Sequence, residues 1–450
     1  MGITGCSMRT KASWNGATTP VRQLFSKAAA KKPWTLTFFD LVLFFAGVGL
    51  FLFFIEPMPR NISGTGSHTC ALIDDGAIEC WGSNSHGQLG AGLPIGMNAS
   101  SPVGVVGISG ATLLSAGPFH TCTVVDDRTV KCWGRNDYGQ LGNAKKDDSP
   151  VPVEVKGIKD AVAVAVGAFH SCALLNVGAV ECWGSNEYSQ LGDHTFPYRE
   201  VPVRVTALSG VIAITAGGGH NCAIRGDRTV YCWGWNSQGQ LGIGSNEDIV
   251  STPAQVLGLE YPLEVSAGDL HTCGIVDAGG AYCWGQFHSS HSVDDVLPQS
   301  KHRSATSQER PSMRTDQKQS SEQLVRPRLR SNVPVHVEGV QAAARIYAGQ
   351  GRNCAILGDR SLTCWERDEA GSLSEGESYR TSRPPFAVTT VKNVVHFANS
   401  RSPCALDQSY RVLCWRADGL SGVTSTPDAI QIRGRNNRWL TSWGINYAHQ

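Results

Sequence analysis

Residues 68–82 read HTCALIDDGAIECWG. Apolar and polar positions alternate, break at Asp-Asp-Gly, then alternate again. Alternation over five or six residues on each side of such a break predicts two short antiparallel strands joined by a tight turn. A three-residue connection ending in glycine suits a type I turn followed by a bulge. In this register Cys70 and Cys80 face each other, with His68, Leu72 and Ile78 on the same face, and Trp81 points to the other face. Opposed cysteines on paired strands are close enough for a disulfide after a small adjustment.

The pattern recurs about every 50 residues, with first cysteines at 70, 122, 172, 222, 273, 354 and 404. The fullest unit runs from a Pro-x-x-Val start through a valine-rich run and Ala-Gly-x-x-His-x-Cys-Ala-Leu. It continues with a turn, x-Cys-Trp-Gly-x-Asn and Gly-Gln-Leu-Gly. Short strands with turn punctuation at this period predict an all-β fold, a seven-bladed β-propeller. The 50 glycines suit its many turns. Unit one lacks a front half, whereas residues 427–450 resemble one with no cysteine hairpin after it. The expectation is therefore that the tail supplies strands to the first blade and closes the ring over 61–450.

Fourteen of the 15 cysteines form pairs at this spacing: Cys70/Cys80, Cys122/Cys132, Cys172/Cys182, Cys222/Cys232, Cys273/Cys283, Cys354/Cys364 and Cys404/Cys414. Units six and seven have drifted, with Arg352 and Ser402 at the histidine position, yet both members of each pair remain. That joint retention argues for disulfides and an oxidising compartment. The zinc alternative lacks a second close ligand at each pair. The tryptophans Trp81, Trp133, Trp183, Trp233, Trp284, Trp365 and Trp415 hold one repeat position and read as filler between blades.

The N-terminal segment supplies an address. Residues 1–33 carry six Lys or Arg and no Asp or Glu, and residues 34–55 are mostly apolar with a single charge, Asp40. Such a length spans about 30 Å of hydrocarbon, and the basic flank belongs in the cytosol. This predicts a signal anchor at 34–55, a basic cytosolic tail at 1–33 and a propeller outside the cell or in the secretory lumen. A cleaved signal peptide and an organelle transit peptide are the alternatives. On the lumenal side the sequons at Asn61 and Asn98 would be open to glycosylation. The polar stretch 287–330 reads as a disordered basic insertion. It is either a solvated loop or an arm for an acidic partner or glycan.

Charge is balanced, with 39 basic and 38 acidic residues, so no basic field for nucleic acid exists at whole-chain level. His68, His120, His170, His220 and His271 share one repeat position. A catalytic histidine is normally single, so five copies read as packing and hydrogen bonding, with a metal ring down the channel as the alternative. Asp74, Asp75, Asp126, Asp127, Asp227 and Asp359 sit at hairpin tips and read as turn formers. No catalytic residue, metal site or cofactor is expected.

The motifs His-Thr-Cys-Ala-Leu, Cys-Trp-Gly-x-Asn and Gly-Gln-Leu-Gly, with Pro-x-x-Val starts, resemble the regulator-of-chromosome-condensation (RCC1) repeat over roughly 60–450. The cysteine-rich form is similar to the ectodomains of CRINKLY4-type receptor kinases and to β-lactamase inhibitory protein II. The resemblance implies a seven-bladed propeller often closed by strands from both ends. Three functions follow as expectations. One is a membrane-anchored scaffold binding an unknown protein or glycan ligand. The second is a lumenal enzyme, which needs a non-repeated acid/base pair in one blade. The third is an intracellular exchange-factor-like or ubiquitin-pathway regulator, which needs reduced cysteines.

Overall fold

The computed structural model describes residues 59–286, 330–366, 385–415 and 428–430. In the first unit, HTCALI and IECWG form β2 (His68–Ile73) and β3 (Ile78–Gly82). Cys70 stands opposite Cys80 and Leu72 opposite Ile78. The Asp75 carboxylate accepts the Ala77 N–H at 2.9 Å and so shapes the turn. β1 (Pro59–Ser63) flanks β2, and β4 (Ala99–Gly104) flanks β3, giving one four-stranded antiparallel sheet.

Six more sheets of the same order follow within 111–154, 161–204, 211–255, 262–336, 343–387 and 394–430. These are the seven blades of a β-propeller. The innermost strand of each blade lines a central axis. The turns between first and second strands share one face of the ring with the loops between third and fourth strands. The hairpin tips lie on the opposite face.

Both faces of a blade are buried. In the first blade, Cys70, Leu72, Ile78 and Cys80 pack with Trp133 of the second. Its other face presents Ile62, Ala71 and Trp81 to Cys404, Leu406, Val412 and Cys414 of the seventh. A cysteine face against the next blade's tryptophan recurs around the ring. Cys122 and Cys132 pack with Trp183, Cys172 and Cys182 with Trp233, and Cys222 and Cys232 with Trp284. Cys273 and Cys283 pack with Trp365, and Cys354 and Cys364 with Trp415.

The ring closes differently from the sequence expectation. The innermost strand of the first blade is Pro59–Ser63, directly upstream of its cysteine hairpin, and its outermost strand is Ala99–Gly104. The tail's Asp428–Ile430 instead pairs with Val412–Cys414 in the seventh blade. The reason lies in the unit's phase. The Pro-x-x-Val segment opening each sequence unit is the outermost strand of the blade before it, so a tail resembling such a start completes blade seven. Every blade is therefore contiguous in sequence. The seam between blades seven and one is held by the packing around Trp81, by Thr69 Oγ1 and Ser400 Oγ at 3.0 Å, and by the Arg401 N–H donating to the Gly66 carbonyl at 2.8 Å.

The expected cytosolic tail and anchor (1–33 and 34–55), nearly all of the basic insertion (287–329) and the tail after 430 lie outside the described residues. No helix among the described residues is long and apolar enough to cross a membrane.

Candidate functional site

All seven cysteine pairs are disulfide-bonded, each with Cα atoms 4.0–4.1 Å apart: Cys70–Cys80, Cys122–Cys132, Cys172–Cys182, Cys222–Cys232, Cys273–Cys283, Cys354–Cys364 and Cys404–Cys414. Direct cross-strand opposition is what brings them there. All fourteen cysteines are buried, with Cys132, Cys232, Cys283 and Cys364 at 0–1% exposure and Cys414 the least buried at 9%. None of the fourteen lines the axial cavity or its mouth. The pairs are therefore staples internal to the fold, neither exposed redox groups nor parts of a binding site.

Tryptophan and histidine link neighbouring blades. Trp133, Trp183 and Trp233 donate their indole N–H to the carbonyls of Gln88, Gln140 and Gln190, at 2.9, 2.8 and 2.9 Å. Each acceptor belongs to the Gly-Gln-Leu-Gly-type turn of the preceding blade. That turn is pinned by the asparagine of Cys-Trp-Gly-x-Asn; Asn136 Oδ1, for example, accepts the Leu141 N–H at 2.9 Å. Gly90 closes one such turn with φ +65°, and a Cβ there would stand 2.6 Å from Trp133 Nε1. Glycine is required on both counts.

The five histidines do not converge on the axis. Each Nε2 reaches into the next blade: His68 to Thr121 (2.7 Å), His120 to Ser171 (2.7 Å), His170 to Asn221 (2.9 Å), His220 to Thr272 (2.8 Å) and His271 to Asn353 (2.6 Å). The acceptor always follows the histidine position of its own blade. Asn221 donates its Nδ2–H to the Gln190 carbonyl, so its Oδ1 accepts and His170 carries its proton on Nε2. Burial pushes His68, His170 and His271 down to about 4, and His120 and His220 down to about 3. They are neutral linkers. The drift in blade six has a matching cause. Its partner position in blade seven is Pro403, which offers no side-chain acceptor, and its histidine position holds Arg352.

Asp127, Asp227 and Asp359 accept backbone N–H groups two residues onward, from Thr129, Thr229 and Ser361. Hydrogen bonds from the side chains of the same three residues hold these carboxyls below the usual range. Asp75 does likewise for Ala77, and Asp74 pairs with Arg60. Among the described residues no group of three His, Cys, Asp or Glu is placed to hold a metal ion.

The two sequons differ. Asn61 lies on the innermost strand and lines an axial cavity of about 250 Å³. Asn98 is exposed, and its Oδ1 accepts the Asn84 N–H at 2.8 Å, so its Nδ2 carries no structural duty in that contact.

Sequence reasoning missed the face that carries the inner turns. There Phe119 and Phe169 stack at 5.2 Å, and the Arg135 guanidinium lies 5.2 and 4.9 Å from their centroids. Tyr138 meets Phe169 edge-on at 5.6 Å, and His86 meets Phe119 edge-on at 5.9 Å. His86 Nδ1 lies 2.9 Å from Asp148 Oδ2. Arg135 is forked onto Asp137. One blade further, Tyr188 stacks on Trp235 at 4.7 Å over Gly219, where a Cβ would touch Tyr188 Cδ2 at 3.0 Å. Glu187 stands beside both tyrosines, and burial raises its carboxyl above the ordinary range. These residues occupy positions that vary from unit to unit, just before the histidine and inside the Asn-to-Gln loop. Aromatic non-repeated residues at those variable positions were the available signal. Together they make a tier of rings across blades one to four, with charged groups of both signs at hand.

Comparison with known proteins agrees with this architecture. The profile of the RCC1-like domain matches residues 54–406. Human HERC6, described as a probable E3 ubiquitin-protein ligase, is 36% identical over 92 residues, 20% of this chain and 9% of its own. The ultraviolet-B receptor UVR8 of Arabidopsis thaliana is 37% identical over 82 residues, 18% of this chain and 19% of its own. The matches thus span between about a tenth and a fifth of those relatives' lengths. Among solved structures, Prp20p of Saccharomyces cerevisiae superposes with a TM-score of 0.58 at 21% identity, covering 75% of this chain and 79% of that one. With its profile match running through nearly all of the ring, the chain belongs to the RCC1-like domain family.

Proposed function

We propose that this protein is a membrane-anchored binding scaffold whose propeller faces the cell exterior or the secretory lumen and takes a protein or glycan ligand on the aromatic tier. The tier is the observation that carries the reading. Stacked rings, a guanidinium and part-buried carboxyls gathered on one face are what recognition surfaces use, whereas the opposite hairpin face is built of turn residues. The apolar, acid-poor N-terminus supports the topology, and seven buried cystines support the oxidising compartment.

The test is thiol alkylation with and without reductant on protein in sealed microsomes treated with protease, combined with a photocrosslinker at Tyr138 or at Val177. Val177 is exposed on the opposite face. The reading expects fourteen reductant-sensitive thiols behind the membrane and adducts from position 138 in excess of those from 177. Free thiols on a protease-accessible propeller, or equal adducts from both positions, overturn it.

A lumenal enzyme is the second reading, favoured by one observation. His86 and Asp148 form a non-repeated imidazole–carboxylate pair on the same face. An exchange-factor-like or ubiquitin-pathway role, suggested by the names of relatives, requires free thiols in the cytosol, and the same alkylation experiment decides it.

A further inference from the structure

On the face that carries the aromatic tier, the axial channel opens through a mouth of small residues, among them Gly167, Ala168, Gly217, Gly218 and Gly268. Two positions before the histidine site, the seven blades carry Gly66, Pro118, Ala168, Gly218, Asp269, Gln350 and Ser400. Asp269 alone is ionisable. It is 7% exposed, and its carboxylate makes no hydrogen bond or ion pair with any described residue. Gly218 of the neighbouring blade abuts it: a Cβ there would stand 2.7 Å from Asp269 Oδ1. Among the described residues no Lys, Arg or His lines the mouth.

A buried carboxylate without a partner is costly, and proteins normally pair it or cap a backbone N–H with it. Asp269 does neither. The hairpin-tip aspartates show the structural use of this side chain in the same fold, each bonded two residues onward. Asp269 sits at the other end of its blade. Its burial also pushes the carboxyl up to about 6, which leaves it largely ionised at neutral pH.

We propose that Asp269 is the receptor for an alkylammonium group, chemically a lysine side chain of a protein partner, entering along the propeller axis. Glycine and alanine give the mouth a small, largely apolar lining suited to a methylene stem, and the carboxylate supplies a charge-assisted hydrogen bond to the ammonium at its end. The site lies inward of the tier: Ala168 of the mouth is followed by Phe169 of the ring stack, and Asp269 itself by Leu270. It goes beyond the proposed scaffold role and does not require the tier.

The test uses the full-length chain and n-butylammonium chloride as probe, with sodium chloride and tetramethylammonium chloride at equal ionic strength. A ligand that binds only the folded state raises the thermal midpoint, by about 2 to 4 °C near a hundredfold excess over Kd. The expected result is a rise with n-butylammonium over both control salts, its loss in Asp269→Asn, and its retention in Tyr188→Ala. That last arm separates this site from the tier. Asp269→Asn, a neutral isostere at an unpaired buried charge, should itself leave the midpoint equal or higher. An equal response to tetramethylammonium, an unchanged response in Asp269→Asn, or a midpoint several degrees lower in that variant overturns the proposal.

Discussion

The indole of Trp133 donates to the carbonyl of Gln88 at 2.9 Å, across the boundary between the first two blades. The contact joins a tryptophan present in all seven units to the Gly-Gln-Leu-Gly turn of the blade before, and it converts a hairpin motif into an inter-blade joint. Trp133→Phe removes the donor and part of the volume, with an expected loss of about 1 to 3 kcal/mol. Trp133→Ala leaves a cavity against the cystine face and should cost about 3 to 5 kcal/mol. Urea unfolding of the two variants checks the order; an alanine variant as stable as wild type would remove the joint from consideration.

Acid should loosen the ring. The five linker histidines and His396 are held at about 3 to 4 by burial, well below the ordinary value near 6.5. Their folded values are depressed, so the unfolded chain binds the extra protons. The stability they contribute is complete above about 6.5 and is lost as pH falls toward 4, at up to about 1.4 kcal/mol per pH unit for each. Glu264 and Asp269, pushed up to about 7 and about 6, act oppositely: their contribution is present below the carboxylate range and is lost as pH rises through those values. Six groups against two set the net sign. Thermal midpoints measured from pH 7 to pH 4 should fall, and His120→Asn should flatten the slope.

Removing one staple should weaken its own blade first. The Cys172→Ala, Cys182→Ala double variant opens a loop with a sequence separation of 10, a loss of about 2 to 3 kcal/mol. Hydrogen exchange should speed up most in His170–Leu175 and Val180–Ser185. Uniform acceleration around the ring would show instead that the cystines act collectively.

Should the propeller be lumenal, its sequons should be unequal. Asn98 is exposed with a free Nδ2, whereas Asn61 lines the axial cavity. A glycosidase-sensitive mobility shift should vanish in Ser100→Ala and persist in Ser63→Ala. The reverse pattern would contradict the placement of the first strand.

Hairpin register, cystine pairing and the two-sided burial of each blade could be read from HTCALIDDGAIECWG, because strand alternation leaves one face for Cys70 and the other for Trp81. The same register carried over to Cys132, Cys232, Cys283 and Cys364, each found opposite its expected partner. Blade phase could not be read. The Pro-x-x-Val strand precedes its hairpin in the chain but pairs with the hairpin before it, and PRNIS is too short and too polar to stand out as a strand. The histidine links were half legible: repetition said they were structural, but the acceptor one blade away shows only once the ring is formed. The tier and Asp269 were hidden by the repeat itself, which trains attention on constant positions, whereas Phe119, Phe169, Tyr188 and Asp269 occupy the variable ones.

That every blade is contiguous, and that the last meets the first through Trp81 and a few hydrogen bonds, makes the ring a necklace with a clasp. Among the described residues no strand is shared between its two ends. An in-register gain or loss of one whole unit preserves every kind of joint, so the fold can change circumference by duplication alone. The same clasp is where tension along the chain would first be felt, since the chain runs across every other blade boundary, whereas here side-chain packing and a few hydrogen bonds alone join the ends of the ring.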